Sequence, residues 1–323
     1  VSFTRAELAT ATRMGALVGS WIGTAGLATY AVLHYASQGL IGGDAHAYWL
    51  AGRSSAPYLQ APGHADAFEY SPVFIQGVRP LSHLSFPTFY ACWAGAELIA
   101  FWWMTKGLAW RWRVPVLLSC VPELCLANVN AFFGIVLVAG VRLPELWAFV
   151  ALTKITPSAV GLVWMLLRGD FRGVVRGFIA IAVLAGGSYA FEPQLWSEWF
   201  QFLRHHAPGS SLDITVRLAL SLILVAALAR FNLRWLLPVP FILATPVFVF
   251  GFSTNQCLAM LPPTLGVWVR QRSESSGKGR GSGKGALAGV TGDGEEVPHP
   301  QPLQAKTHQN PTDQDQNAQP REP

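Results

Sequence analysis

Asp44 lies in the run Gly42-Gly43-Asp44-Ala45-His46-Ala47-Tyr48-Trp49, shortly after the first long apolar segment. The run brings together a carboxylate, an imidazole, two aromatic rings and a Gly-Gly turn. A carboxylate there can act as a general base, taking a proton from an attacking hydroxyl. It can equally be the ordinary polarity of a loop. Tyr48 and Trp49 would anchor the loop at a membrane interface under either reading. The same loop carries a second carboxylate, Glu69, between the aromatic-proline turns Pro57-Tyr58 and Tyr70-Ser71-Pro72. Tyr58 and Tyr70 suit either interfacial packing or a platform on which a sugar ring stacks.

Lys154, in Lys154-Ile155-Thr156-Pro157, is a lone cation between apolar pieces. Such a lysine is costly in a membrane unless it is paired or reaches an interface. It either snorkels to the headgroups or waits for a phosphate. Asn128 and Asn130 make another polar break, and Glu123 follows Pro122 inside a short apolar piece, free to pair with an arginine. His205 and His206 end a stretch, 192–204, in which Leu195, Trp196, Trp199, Phe200 and Leu203 keep helical spacing. That stretch reads as an amphipathic interfacial helix. Adjacent histidines do not share a helix face, so the pair is a poor metal site, although one of them could reach an active site.

Of 323 residues, 51% are apolar and 13% charged, with 13 Trp and 19 Phe. A soluble domain carries about twice that charged share. The net charge of +5 is no nucleic-acid signal, because the basic residues sit at the ends of apolar runs. Cys92, Cys120, Cys125 and Cys257 all fall in apolar segments without metal-ligand spacing and read as small core residues. Met14 to Leu33 is uncharged and long enough to span a membrane; with no A-x-A site after it, it reads as a span rather than a cleaved signal.

Further spans are expected over about 86–105, 177–191, 214–229 and 235–252, with a Pro-broken piece at 256–269. Between 114 and 167 no ordinary 20-residue span fits, and four short pieces fit better: 114–127, 131–141, 143–153 and 155–167. They are too short to cross about 30 Å at about 1.5 Å per residue. Half-helices meeting in a protein-lined cavity would satisfy their backbones. Crossing at each segment from a cytoplasmic N-terminus puts Arg5, Arg13, Lys106, Arg111, Arg113, Arg142, Arg168, Arg172, Arg176, Arg230 and Arg234 inside. Only Arg53, Arg79, Lys154 and Arg204 are then outside, a strong positive-inside bias. The expected fold class is an all-α polytopic membrane protein, a helical bundle of about eight to ten spans over 1–269 with short half-helices and outer-face loops. Residues 270–323 lack Phe, Trp and Tyr and read as a disordered cytoplasmic tail. Its basic start, Lys278, Arg280 and Lys284, reads as a solvated linker or as a contact with anionic lipid.

The ordered set resembles glycosyltransferase family 87, the polyprenyl-phosphate-sugar-dependent membrane transferases of GT-C type. The resemblance rests on Gly-Gly-Asp-x-x-x-Tyr at 42–48, Pro57-Tyr58, and Phe68-x-Tyr70-x-Pro72-x-Phe74. The Asn128/Asn130 break, Lys154-x-x-Pro157 and the basic turn Arg168 to Arg172 complete it. It covers roughly 40–210. The family often has Gly-Gln-x-Asn at the break, where this chain has Ala127-Asn128-Val129-Asn130, and Asn-x-Ser-Leu where this chain has Gly209-Ser210-Ser211-Leu212.

The resemblance implies a GT-C-like bundle in the plasma membrane and inverting sugar transfer at its outer face. The expected donor is a polyprenyl-phosphate sugar, mannose first, and the acceptor a glycolipid or glycan. Asp44 falls on the family's catalytic aspartate. Lys154 falls on its Lys-x-x-Pro, and electrostatics points it at the lipid-linked phosphate. Tyr48, Tyr58, Tyr70, Asn128, Asn130, His205 and His206 are the expected substrate-binding residues. No cofactor or metal is required by this chemistry; the lipid-linked sugar phosphate is itself the donor substrate. Membrane lipids are the other expected partner, and nucleic acid is not one. The competing class is a non-enzymatic membrane protein: a transporter, lipid flippase or glycolipid-binding scaffold. A transporter would place ionisable residues near the membrane midplane, often within an internal repeat.

Overall fold

A computed structural model describes residues 4–64, 66–206, 214–245 and 250–281. The described residues are all helical, without strands. In chain order the helices are α1 (Arg5–Ser37), α2 (Gly43–Arg53), α3 (Pro72–Ser82), α4 (Phe86–Thr105), α5 (Trp110–Ser119), α6 (Val121–Leu126) and α7 (Asn130–Ala139). After a 3-10 turn at Pro144–Leu146 come α8 (Trp147–Ala151), α9 (Ile155–Leu167), α10 (Phe171–Phe191), α11 (Pro193–His205) and α12 (Ile214–Phe231). A second 3-10 turn at Arg234–Leu236 precedes α13 (Pro238–Leu243) and α14 (Phe250–Gly281).

Among the described residues three helices are long and apolar enough to cross a membrane: Glu7–Ser37, Phe171–Phe191 and Ile214–Phe231. Their outward side chains are apolar, including Ile22, Leu33, Phe178, Val183 and Ile223, all well exposed. Contiguous apolar surface of this kind calls for lipid or a partner rather than water. The expected span 86–105 is matched to the residue by α4, which is not among those three.

Local chemistry explains most boundaries. Thr4 and Glu7 form a reciprocal capping box at the start of α1. Proline opens α3, α6 and α11 within their first two positions, where its missing N–H costs nothing. The side chain of Asp170 accepts from the Gly173 amide at the head of α10. The short pieces expected between 114 and 167 are present, and 155–167 is matched by α9. The piece 114–127 divides into α5 and α6 at Cys120, and 143–153 into a 3-10 turn and α8.

Several expectations are corrected. The loop expected to carry Asp44 and Glu69, between the first span and that at 86–105, contains two helices, α2 and α3, so Asp44 is helical. The span expected over 235–252 is broken: it begins as the 3-10 turn Arg234–Leu236, and the short helix α13 ends at Leu243. Helix α14 runs through the expected boundary at 269 to Gly281. Residues 1–277 form one unit; of the second, Lys278–Pro323, only 278–281 is described, as helical backbone. The tail from 282 onward, Lys284 included, and the loop sequence Gly209 to Leu212 lie outside the described residues. Cys92 is exposed, unlike buried Cys120 and Cys125, because its stretch of α4 faces outward.

Arg217 belongs to none of the sequence motifs, although a cation inside an apolar run is a signal in itself. It is fully buried on α12, and its guanidinium donates to the carbonyls of Leu243 (3.1 Å) and Thr245 (2.6 Å) at the broken end of α13. Thr156 donates to the neighbouring Ala244 carbonyl at 2.5 Å, tying the start of α9 to the same place. Carbonyls freed by a helix break need such donors. Arg217→Met is expected to cost about 1–3 kcal/mol, the range for stranding buried acceptors, measured as a lower melting temperature of the purified protein in detergent.

Candidate functional site

The site is built from the chain reversal that follows α1. Gly42 adopts a left-handed backbone, with φ of 74°, and its N–H donates to the Cys125 carbonyl at 2.6 Å. A β-carbon at Gly42 would lie 2.9 Å from Tyr90 and 3.0 Å from Phe86. Only glycine meets both the backbone and the space requirement. Gly42→Ala is therefore expected to cost at least about 1–2 kcal/mol from backbone conformation alone, read as a drop in melting temperature.

This turn sets Asp44 in the first turn of α2. Asn128 donates to its Oδ2 at 2.7 Å, across 84 positions of chain. Asn128 is itself oriented by accepting the Val129 N–H at 2.6 Å. Ala127, with φ of 55°, reverses the chain between α6 and α7. Asn130 there donates from its backbone (3.0 Å) and its amide (3.1 Å) to the two oxygens of Glu123. Glu123 thus takes its bonds from Asn130 and not from an arginine. Both asparagines are buried and donate to carboxylates, so they position acids rather than hold substrate directly.

Lys154 sits in extended backbone between α8 and α9. Its Nζ lies 5.9 Å from the centre of the Tyr70 ring and 5.7 Å from that of Phe133. No carboxylate among the described residues approaches within salt-bridge distance of it. Asp44, Glu69 and Glu123 nevertheless all act on it electrostatically. Asp44, Glu69 and Lys154 are only half-buried, whereas Glu123, Asn128 and Asn130 are buried. The groups able to meet a ligand are held by groups that are not.

Burial raises the Asp44 carboxyl above the usual aspartate value, against the Asn128 hydrogen bond and the Lys154 charge, which both lower it. Burial likewise raises Glu69; Asp44 adds to that rise, while Lys154 and His206 oppose it. Burial lowers Lys154, and the three carboxylates oppose that. The centre is therefore a group of acids around one cation, in which burial disfavours each charge and the opposite charges favour it.

The tyrosines are not an open sugar platform. Tyr48, Tyr58 and Tyr70 are buried in one aromatic cluster with Phe68 and Phe74. The Tyr48 and Tyr70 hydroxyls meet at 3.2 Å, and Tyr58 donates to the Tyr70 carbonyl at 2.9 Å. They are the wall that holds α2 and α3 together beneath the acids. Trp49 anchors α2 by donating to the Leu84 carbonyl at 2.9 Å.

His46 pairs with Asp66 at 2.6 Å and stands apart from the Asp44 bonds. His205 is exposed, with its ring bonded to the Gln201 carbonyl at 2.6 Å, and it does not join the site. His206 is half-buried against Phe202, within electrostatic reach of Glu69. Among the described residues no three His, Cys, Asp or Glu side chains are grouped to hold a metal. The basic turn Arg168 to Arg172 lies at the opposite end of α9 from Lys154, about 20 Å away at 1.5 Å per residue.

On α11 the buried face is Leu195, Trp196, Trp199 and Phe202, while Phe200 and Leu203 point outward. The outer face otherwise carries Gln194, Ser197, Gln201 and Arg204, so the helix is amphipathic with its apolar face packed inward. Trp199 donates to the Glu69 carbonyl at 3.2 Å. Arg79 donates to Glu192 at 2.7 Å, pinning α3 to the α10–α11 junction.

A cavity of about 640 Å³ opens between α9, α10, α11 and α12. Its lining includes Leu152, Ile155, Thr156, Trp196, Trp199 and Leu218 and is almost wholly apolar. The wall therefore begins at the residues next to Lys154 in the chain, and Trp199 links it to Glu69. The volume is that of an ordinary small-molecule pocket. Fold and site together define an all-helical protein with membrane-length helices and an acid–lysine centre beside an apolar cavity. No known family model, curated protein or solved structure matches the chain.

Proposed function

We propose that the protein is a membrane glycosyltransferase of GT-C-like architecture, similar to glycosyltransferase family 87, using a polyprenyl-phosphate sugar, mannose first. The observation that carries this reading is a half-buried carboxylate and a half-buried lysine that act on each other electrostatically, with an apolar cavity lined by Ile155, the residue after that lysine. A lipid-linked phosphate needs an apolar channel for its chain and a cation for its headgroup. In this reading Ile155 belongs to the channel wall and Lys154, the residue before it, supplies the cation.

In the proposed reaction the acceptor hydroxyl of a glycolipid or glycan attacks the anomeric carbon opposite the phosphate. The new C–O bond forms as the bond to the phosphate oxygen breaks, with inversion. Asp44 takes the hydroxyl proton. The phosphate leaves with the bonding electrons and needs no proton of its own, and positive charge at Lys154 stabilises it as it departs. Asn128 holds Asp44 in position. The basic-residue bias of the sequence supports a site on the outer face of the plasma membrane, with the N-terminus cytoplasmic.

A polyprenyl phosphate carrying a photoactivatable group in its first isoprene units tests the reading. The label is expected on peptides from α9, α11 or α12 and is expected to fall when unlabelled polyprenyl phosphate competes. Labelling confined to the outward faces of α1 and α10, without competition, would contradict it.

A further inference from the structure

Away from Lys154, a second buried carboxylate takes no part in the proposed transfer. Glu97, on α4, has no exposed surface, and neither of its oxygens has a hydrogen-bond partner among the described residues. A carboxylate buried without a donor is among the least favourable arrangements a fold can contain. Inside an apolar helical assembly it marks a functional site.

The C-terminal end of α4, with the turn after it, approaches α14. A β-carbon at Gly107 would overlap the Arg270 side chain, and one at Gly266 would meet Leu108. Earlier in both helices, Met104 and Met260 meet at Gly134 of α7, and Ala100, Phe101 and Ala259 share one buried cluster. Carried back along the two helices, this register sets Glu97 level with Ser253 and Gln256. Asn130 lies one turn before Gly134 on α7.

These three residues are buried too, at 3%, 2% and 1% exposure. Ser253 Oγ, Gln256 Oε1 and Asn130 Oδ1 also have no partner among the described residues. Every one of these atoms is an oxygen, and all but the hydroxyl can only accept. A proton on Glu97 would supply a single donor. A hard cation serves several oxygens at once. Glu123 nearby already takes two bonds from Asn130, so Glu97 is the one carboxylate of the group with both oxygens free.

We propose that Glu97, Ser253 and Gln256, with the side-chain oxygen of Asn130, bind a small monovalent cation of the sodium type between α4 and α14. One carboxylate among neutral oxygens matches one positive charge. Asn255, next to Gln256, donates to the Tyr35 hydroxyl at 2.9 Å, so the same stretch of α14 is tied to the end of α1. An ion there would lock α14 to α4 and α7 and hold the Asn130 turn beneath Asp44.

The test is the melting temperature of the purified full chain in detergent, in sodium chloride against choline chloride at equal ionic strength. Sodium is expected to give a saturable rise of several degrees that choline does not. Glu97→Gln keeps the volume and removes the charge; it is expected to abolish the sodium response while melting in choline no lower than the wild type. Gln256→Leu is expected to shift the sodium titration to higher concentration. Should Glu97→Gln fail to fold, retention of radioactive sodium by the wild type against Gln256→Leu decides the matter, with loss in the variant expected. Equal melting in the two salts overturns the proposal, as does an unchanged sodium response in the variants. Stabilisation by acid alone, without sodium dependence, also overturns it and makes Glu97 a neutral acid.

Discussion

Asp44→Asn is expected to lower sugar transfer by about 10²–10⁴-fold, the range for loss of a positioned general base, with the protein made in normal amount. Asparagine keeps the size of the side chain and an oxygen for the Asn128 amide, so the α2 turn stays as it is. Stability should not fall with activity. Burial raises the Asp44 carboxyl in the folded state, so the fold gains from its protonated form below the unfolded value. That gain is lost as pH rises through the raised folded value. Once Asp44 is ionised, the wild type bears a charge that the fold disfavours and the asparagine variant lacks, so the variant should melt no lower. A residue held only for packing would show the reverse. The wild-type rate requires the deprotonated carboxylate, so it should fall on acidification across a range above the ordinary aspartate value of 3.8. The measurement is the pH profile of transfer together with melting of both proteins.

Lys154→Met should produce the second large loss, about 10²–10³-fold in transfer, comparable to removing one group that stabilises developing negative charge. It also removes the charge that opposes the rise of Asp44 and, together with His206, that of Glu69. The acid limb of the rate profile should therefore move to higher pH in this variant. Simple loss of packing would lower the rate without moving that limb. Lys154→Arg should keep part of the activity, since the charge survives while the compact ammonium is replaced by a broader group.

The contrast between Asp44 and the tyrosines shows what the sequence could carry. Asp44, Asn128 and Lys154 are legible because each is polar where its neighbours are apolar, and such residues need a reason to be there. Their meeting is not legible. Asp44 and Asn128 are 84 positions apart, and only the reversal at Ala127 brings the amide to the carboxylate. Glu69 and Glu123 can be read as acids but not assigned a distance from Asp44 for the same reason. The tyrosines mislead because aromatic-proline turns look alike whether their rings stack on sugar or on each other; here Phe68 and Phe74 fill that role. Helix boundaries at 86–105 and 155–167 follow from proline, serine and arginine at the ends of apolar runs. The stretch 235–252 reads as one apolar run only if Pro238 and Pro240 are passed over. Glu97 and Arg217 carry the plainest signal, a charge inside a span, and what each meets depends on helices far away in sequence.

Whether Asp44, Lys154 and the adjoining cavity act on a sugar carried by a lipid phosphate is tested most directly with the purified protein in liposomes containing a glycolipid acceptor. Radiolabelled mannose is offered either on polyprenyl phosphate or on a nucleotide. Label is expected to reach the acceptor only from the polyprenyl phosphate donor, with release of polyprenyl phosphate and loss of transfer in Asp44→Asn. Undiminished transfer by Asp44→Asn, or transfer from the nucleotide sugar alone, would contradict the proposed function.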